Sequence, residues 1–182
     1  MATSTDDSSE AELIAAAAAG NMGAFSELVR EHRSRVLRTA YGILGSAQEA
    51  EDVAQDVFVK VWNSLPQYHG REGAFAGWLY RISVNAAIDV LRQQHHEVPL
   101  DDERVESHEA PEEAVLQSFS RAQVREAVAA LPPNARSVLI LREYEQLSYR
   151  EIAEALQVPI GTVMSRLNYA RQSLKKKLAP GA

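Results

Sequence analysis

Apolar residues recur at steps of three and four along almost the whole chain, and the alternating pattern of β-strands is nearly absent. A short helix is predicted over residues 10–19, where Gly20 ends it. A longer helix follows, with apolar positions at helical spacing from Phe25 to Leu44, and Gly45 ends it. The pattern therefore predicts an all-α fold.

Two further helices are predicted in the N-terminal half. Ser46 and Glu49 form a capping-box pattern, in which the hydroxyl accepts from the N3 amide and the carboxylate reaches back. The helix that begins there ends at Pro66. Its predicted buried face comprises Ala50, Val53, Ala54, Val57, Val61 and Leu65. A loop over residues 66–74 then leads to a helix over about residues 75–94. The apolar stripe of that helix comprises Phe75, Leu79, Ile82, Ala86 and Val90.

Residues 97–115 show no hydrophobic period and contain two prolines, and they carry eight acidic side chains against one basic. A stretch of that length without a pattern is typical of a linker or a functional loop. We place the domain boundary there. The predicted organisation is a tail and short helix at 1–20, a helical unit at 21–96, the acidic linker at 97–115 and a second helical unit at 116–182.

The second unit is predicted to hold four helices, over about residues 113–131, 134–145, 148–156 and 160–178. A second capping-box pattern, Ser148 with Glu151, opens the third of them. A tight turn at 157–159 separates the last two. The last helix has a stripe of apolar residues at steps of four, three and four: Val163, Leu167, Ala170 and Leu174. Two short helices joined by a tight turn are typical of a helix-turn-helix.

The distribution of charge supports nucleic-acid binding by the second unit, although the whole chain has a net charge of −6. Residues 1–96 carry 12 acidic and 8 basic side chains, whereas residues 116–182 carry 5 acidic and 10 basic ones. No acidic residue follows Glu154. The charge is therefore distributed unevenly, with a basic C-terminal unit attached to an acidic linker. A basic face attracts phosphates, which indicates a function for this asymmetry.

The second helix of a helix-turn-helix enters the major groove of DNA. Its predicted outward face here comprises Thr162, Ser165, Arg166, Tyr169 and Ser173. Arginine can bind guanine edges with two hydrogen bonds, and hydroxyls can contact bases or phosphates. The basic side chains that follow, Lys175, Lys176 and Lys177, are expected near the phosphate backbone. Capping box, turn, spacing and charge together favour DNA binding over an ordinary helical hairpin with a polar face.

A polar face is also predicted on the helix over residues 75–94. Its members, at steps of four, four and three, are Arg81, Asn85, Asp89 and Arg92. Trp78 and Tyr80 flank this face, and the glycine-bearing loop precedes it. Aromatic rings beside amide and basic groups suit single-stranded nucleic acid, whose unstacked bases can stack and be hydrogen-bonded. Taken alone, the pattern is more commonly explained by a solvated polar face.

Several classes of function are disfavoured. There is no cysteine, so disulfides and thiolate metal sites are excluded. No apolar run reaches the length of a membrane span, and the acidic N-terminus is unlike a secretion signal, so we expect a cytoplasmic protein without membrane insertion. The five histidines show no metal-ligand spacing, and there is no glycine-rich phosphate loop. We therefore expect no metal, no cofactor and no enzymatic activity of its own.

Three segments, in order, resemble motifs of the extracytoplasmic-function sigma factors of bacterial RNA polymerase. AEDVAQDVF at 50–58 resembles conserved region 2.2. FAGWLYRI at 75–82, with Asn85, Asp89 and Arg92, resembles regions 2.3 and 2.4. LSYREIA at 147–153 and GTVMSRL at 161–167, with Ala170 and Arg171, resemble region 4.2. The resemblance covers the chain from about residue 25 to residue 178.

The resemblance implies a promoter-reading subunit that binds core RNA polymerase through its β and β′ subunits. Core-binding residues would be Asp52, Gln55, Asp56 and Phe58, on the helix that docks on the β′ clamp. Residues that read and open the −10 element would be Tyr68, Arg71, Trp78, Arg81, Asn85, Asp89 and Arg92. Residues that read the −35 element would be Thr162, Ser165, Arg166, Tyr169, Arg171, Lys175 and Lys176. An anti-sigma factor is the implied regulatory partner.

Two positions depart from the family pattern. Members often have arginine near position 169, where this chain has Tyr169, and some have a basic residue at position 84, where it has Val84. These differences bear on −35 preference and on the number of phosphate contacts. The linker of nineteen residues spans at most roughly 60 Å. With the widths of two domains added, it can serve DNA elements about two helical turns, or ~70 Å, apart.

The alternative hypothesis is a stand-alone helix-turn-helix regulator whose N-terminal half binds a ligand or dimerises. Such a regulator would need a dimer interface and palindromic half-sites. Association with core polymerase discriminates between the two. A third hypothesis, a helical adaptor that binds only proteins, does not explain the basic recognition face.

Overall fold

The computed structural model of the chain describes residues 4–70, 74–94 and 120–179, with side chains from residue 10 onward. These residues form eight α-helices and one 3₁₀ turn, and no strand occurs among them. The all-α fold with two small helical units is thus confirmed. The predicted linker at 97–115 lies outside the described residues.

The N-terminal unit is a bundle in which α2, α3 and α4 pack on one another and α1 packs on α2. Its elements are α1 (Ser4–Ala18), α2 (Met22–Leu44), α3 (Ala47–Ser64), the 3₁₀ turn (Leu65–Gln67) and α4 (Phe75–Gln94). The predicted helix at 10–19 begins earlier, at Ser4, and the predicted bounds of α4 are confirmed.

Only half of the predicted capping box at Ser46 forms. The Ser46 hydroxyl accepts from the Glu49 amide at 3.3 Å. The Glu49 carboxylate accepts from the side-chain amide of Gln94 instead of reaching back. A contact between α3 and the end of α4 thus replaces a purely local one.

The predicted inward face of α3 is buried at every position, from Ala50 to Leu65. On α4 Phe75, Leu79 and Ala86 of the predicted stripe are buried, whereas Ile82 and Val90 are half-buried. The buried surface extends beyond the predicted stripe. It also includes Tyr80, Val84, Ala87, Ile88 and Leu91. The reason is that α2 and α3 cover one side of α4 while α6 and α7 of the second unit cover another.

The C-terminal unit contains α5 (Arg121–Ala129), α6 (Pro133–Glu143), α7 (Tyr149–Leu156) and α8 (Ile160–Leu178). A capping box of Ser120 and Gln123 begins α5, at 3.3 and 3.0 Å. The predicted start near residue 113 lies outside the described residues. The predicted capping box of Ser148 and Glu151 is confirmed, at 3.2 and 2.7 Å. These hydrogen bonds also lower the pKa of Glu151.

The two units pack on each other, α2 against α6 and α4 against α7, and their buried apolar residues form one continuous core. The buried side chain of Arg136 on α6 fixes part of this junction. Its guanidinium donates to the carbonyls of Ile43 at 2.6 Å, Leu131 at 3.0 Å and Ala129. Arg136 therefore ties the α5–α6 turn to the carboxyl end of α2, where a cation is favourable.

We predict that Arg136→Met lowers the free energy of unfolding by about 2–3 kcal/mol, because buried carbonyls lose their donors. Urea unfolding followed by circular dichroism measures the change. The control is Arg125→Met, whose guanidinium is exposed and lies 3.5 Å from the Tyr41 hydroxyl. Equal losses in the two variants would contradict a special role for Arg136.

Candidate nucleic-acid and polymerase-binding surfaces

One face of α3 is polar and exposed. Asp52, Gln55 and Asp56 all point to solvent, as the sequence predicts. Val59 continues the same helical stripe and is 59% exposed. Phe58 lies off this stripe, is half-buried and packs against the hydrophobic core.

Sequence reasoning missed Val59. The signal was present, because positions 52, 55, 56 and 59 lie at steps of three, one and three on a single face. A large exposed apolar side chain beside two carboxylates suits contact with a protein. Phe58 contributes less to such a surface, since part of its ring is already covered.

The polar face of α4 forms as predicted. Asn85, Asp89 and Arg92 are exposed and Arg81 is half-buried. The Arg92 guanidinium lies 3.8 Å from the Asp89 carboxylate. An exposed pair at that distance contributes little to stability, so both groups can change partners when a ligand arrives.

An aromatic cluster lies at the start of α4. The ring of Tyr68 is 4.7 Å from that of Trp78 and 5.7 Å from that of Phe75, measured between centroids. The Tyr68 hydroxyl is buried without a hydrogen-bond partner among the described residues, and burial raises its pKa. A Cβ at Gly70 would lie 1.9 Å from this hydroxyl, so a side chain there would require the Tyr68 ring to move. Arg71 lies outside the described residues.

Tyr80 does not flank the polar face as an exposed ring. It is 5% exposed, and its hydroxyl donates to Glu145 of the second unit at 2.8 Å. Burial and this hydrogen bond raise the pKa of Tyr80. Val84 is also buried, at 1% exposure, so position 84 is not available to phosphates in this arrangement.

The helix-turn-helix of α7 and α8 is confirmed in its bounds and in its buried stripe, with Val163, Leu167 and Ala170 buried and Leu174 half-buried. The exposed side of α8 is displaced from the predicted one. The predicted outward residues are half-buried: Thr162, Ser165, Arg166, Tyr169 and Ser173. The Ser165 hydroxyl donates to the Thr162 carbonyl at 3.1 Å, and Tyr169 packs against the core.

The most exposed large side chains at the start of α8 are Ile160 and Met164, at 50% and 53%. The sequence analysis assigned neither residue to the buried stripe or to the outward face. Further along, Arg171 is exposed and pairs with Glu143 of α6 at 3.1 Å. Lys175 and Lys176 are exposed in the last turn.

The junction of the two units forms a groove of about 360 Å³ between α4 and α7. Tyr68, Trp78 and Arg81 line it from the first unit, and Glu151 and Glu154 from the second. The structure therefore brings three residues of the predicted −10 surface against two carboxylates of the helix-turn-helix.

Among the described residues, no group of three potential ligands could hold a metal ion. A search of the same part of the chain finds no helix that is long and apolar enough to cross a membrane.

Comparison with known proteins agrees with the division into two units. The family model for Sigma-70 region 2 matches residues 28–97, and the model for Sigma-70 region 4 matches residues 121–174. The N-terminal match disfavours the alternative of a stand-alone regulator, which requires a sensing or dimerising half in that place.

Curated relatives match along most of the chain. The ECF RNA polymerase sigma factor SigE of Mycolicibacterium smegmatis is 38% identical, over 87% of this chain and 63% of the relative. The RNA polymerase sigma-H factor of Pseudomonas aeruginosa is 36% identical, over 88% of this chain and 89% of the relative. ECF sigma factor SigW of Bacillus subtilis is 30% identical, over 87% and 91%.

Solved structures share the fold. CnrH, solved in complex with the cytosolic domain of CnrY, aligns with a TM-score of 0.69 at 24% identity, over 96% of this chain and 99% of that one. The sigma factor RpoE of Bartonella quintana, solved with the anti-sigma factor NepR, aligns with a TM-score of 0.63 at 24% identity, over 87% and 98%. With both family models matched and relatives covered over about nine-tenths of their length, the chain belongs to the ECF family of RNA polymerase sigma factors.

Proposed function

We propose that this sigma factor binds core RNA polymerase through the exposed face of α3, reads the −35 element with α8 and captures the opened −10 element on α4. The observation that supports this most is that the three surfaces do not overlap. Each lies on a different helix, and the two DNA surfaces lie on different units. The protein would act in the cytoplasm and would leave nucleotide chemistry to the polymerase.

Core binding is assigned to Asp52, Gln55, Asp56 and Val59. The three polar side chains give directional contacts, and Val59 supplies apolar area that water now covers. A small apolar centre with polar groups around it is the usual composition of a protein interface. Phe58 packs against the hydrophobic core and so holds this part of α3 in place beneath the exposed side chains.

Strand opening is assigned to the polar face of α4. Extruding a base from the stack costs a few kcal/mol, so a pocket must return a comparable amount. The Asn85 side chain offers donors and an acceptor and is exposed, so it can read a base edge. Trp78 lies on the preceding turns in the aromatic cluster, where a base can stack.

Reading of the −35 element is assigned to the start of α8. Arg166 and Thr162 lie beside the exposed side chains of Ile160 and Met164. Apolar side chains there can contact the methyl group of thymine, and arginine can bind guanine. Lys176 in the last turn would add affinity that does not depend on sequence.

We also propose an anti-sigma factor as a regulatory partner. A protein of the same fold, RpoE of Bartonella quintana, was solved with the anti-sigma factor NepR. The shared fold supports a partner of this class.

The first prediction concerns core binding. Asp56→Ala combined with Val59→Ala should weaken binding to core polymerase about tenfold or more, because both side chains lie at the centre of the proposed contact. Calorimetry or native gel shift measures this. Glu27→Ala is the control, because this half-buried carboxylate lies on α2 and pairs with Arg30. Unchanged affinity in the double variant would rule out this face.

The second prediction concerns strand opening. Asn85→Ala should bind core polymerase and duplex promoter normally but form few open complexes, as read by permanganate footprinting. A template with a pre-melted −10 region should recover part of the loss, since the cost of separation is removed. Gln94→Ala is the matched amide control, because that side chain contacts α3 and lies off the polar face. Normal opening by Asn85→Ala on duplex DNA would refute the assignment.

The third prediction separates base reading from phosphate contact. Arg166→Ala should cost about 1–3 kcal/mol and relax preference at one base pair. Lys176→Ala should weaken binding to all sequences alike and flatten the salt dependence. A promoter library assayed at two salt concentrations distinguishes the effects. An unaltered −35 preference in Arg166→Ala would show that this part of α8 does not enter the groove.

A further inference from the structure

Glu145 lies between α6 and α7, and its side chain is 2% exposed. Among the described residues, the hydrogen bonds to its carboxylate come from the other unit. One carboxylate oxygen accepts from Arg38 Nε at 3.0 Å, and the other accepts from Arg38 Nη2 at 3.0 Å and from the Tyr80 hydroxyl at 2.8 Å. The hydrogen bond with Glu145 also raises the pKa of Arg38. A bidentate arginine–carboxylate pair fixes orientation as well as distance.

A close apolar contact lies near this ion pair. Gly42 on α2 faces Ile140 on α6, and a Cβ at Gly42 would lie 2.8 Å from Ile140 Cγ2. The absence of a side chain thus lets α6 approach the backbone of α2. Arg136 reaches the Ile43 carbonyl at the same junction.

This junction covers the proposed DNA-capturing surface. Because α7 packs on α4, Glu151 and Glu154 line the groove that Tyr68, Trp78 and Arg81 also line. A DNA strand carries a negative phosphate at every nucleotide, so carboxylates in the groove repel it. The helix itself also occupies space beside the aromatic cluster.

The distance between the two promoter elements is also incompatible with the packing of the two units on each other. Elements two helical turns apart on DNA are separated by ~70 Å, whereas the two units here are in direct contact. The arrangement with α7 on α4 therefore cannot read both elements of one promoter. The units must separate before the proposed function can operate.

We propose that the free protein is held closed and inactive by Glu145 acting as a latch on Arg38 and Tyr80, and that engagement of core polymerase requires this latch to open. The inactivity of the closed form rests on the proposed function, whereas the latch is a property of the free chain. An ion pair of this kind suits reversibility. When the units part, the buried Glu145 carboxylate regains water, which offsets much of the attraction that is lost.

The test uses single-molecule energy transfer in the full chain. The protein has no cysteine, so Gln48→Cys in the N-terminal unit and Ala179→Cys in the C-terminal unit, both exposed, allow specific labelling. The parent protein should show mainly high transfer when free and low transfer when bound to core polymerase. Glu145→Gln should raise the low-transfer fraction of the free protein by at least about threefold, because the pair with Arg38 loses its charge.

Two further variants sharpen the result. Glu143→Gln is the matched control, since Glu143 pairs with Arg171 inside the C-terminal unit and should leave transfer unchanged. Gly42→Ala should open the chain without touching a charge, because its methyl group meets Ile140 while alanine favours the helix of α2. Helix content by circular dichroism should match the parent in all three.

Low transfer in the free parent protein, or equal opening by Glu143→Gln and Glu145→Gln, would overturn the latch. The rate of association with core polymerase gives the functional readout, and Glu145→Gln should raise it several-fold. If Glu145→Gln opens the chain but no variant binds core polymerase, the proposed function fails while the latch stands.

Discussion

The bidentate contact of Glu145 with Arg38, completed by the Tyr80 hydroxyl, decides which surfaces this molecule presents. While it holds, α7 covers part of α4 and the −10 surface lies against carboxylates. The stripe of α3 that ends at Val59 stays exposed in the same arrangement. The closed protein can therefore make a first contact with the polymerase through α3, but full engagement requires the units to part and free the −10 surface.

The small size of each unit explains why such a junction exists. A helical domain of about 60–70 residues buries a modest core, and packing against a neighbour adds to it. Here the buried apolar residues of α2, α4 and α6 form one continuous cluster. Separation of the units exposes part of that surface, so a binding partner that covers it is favoured. The polymerase would then compensate for the contacts that opening removes.

Sequence patterns over a few residues predicted those features that depend on interactions between residues close in sequence. The helices, the inward face of α3, the capping box at Ser148 and the stripe of α8 follow from residues three or four apart. The sequence did not reveal the burial of Tyr80 or the partner of Arg38, because Arg38 and Glu145 are 107 positions apart. The half-formed box at Ser46 has the same cause, since Gln94 competes for Glu49. On α8, the neighbouring helices decide which polar residues stay exposed, and periodicity alone does not show this.

As a sigma factor, this chain gives core RNA polymerase its choice of promoter. The most direct measurement is transcription in vitro by purified core polymerase, with and without the protein, on fragmented genomic DNA from its host, followed by sequencing of RNA 5′ ends. With the protein present, new start sites should appear that share two sequence elements at a fixed spacing of about two helical turns. A set of start sites identical to that of core polymerase alone would contradict it.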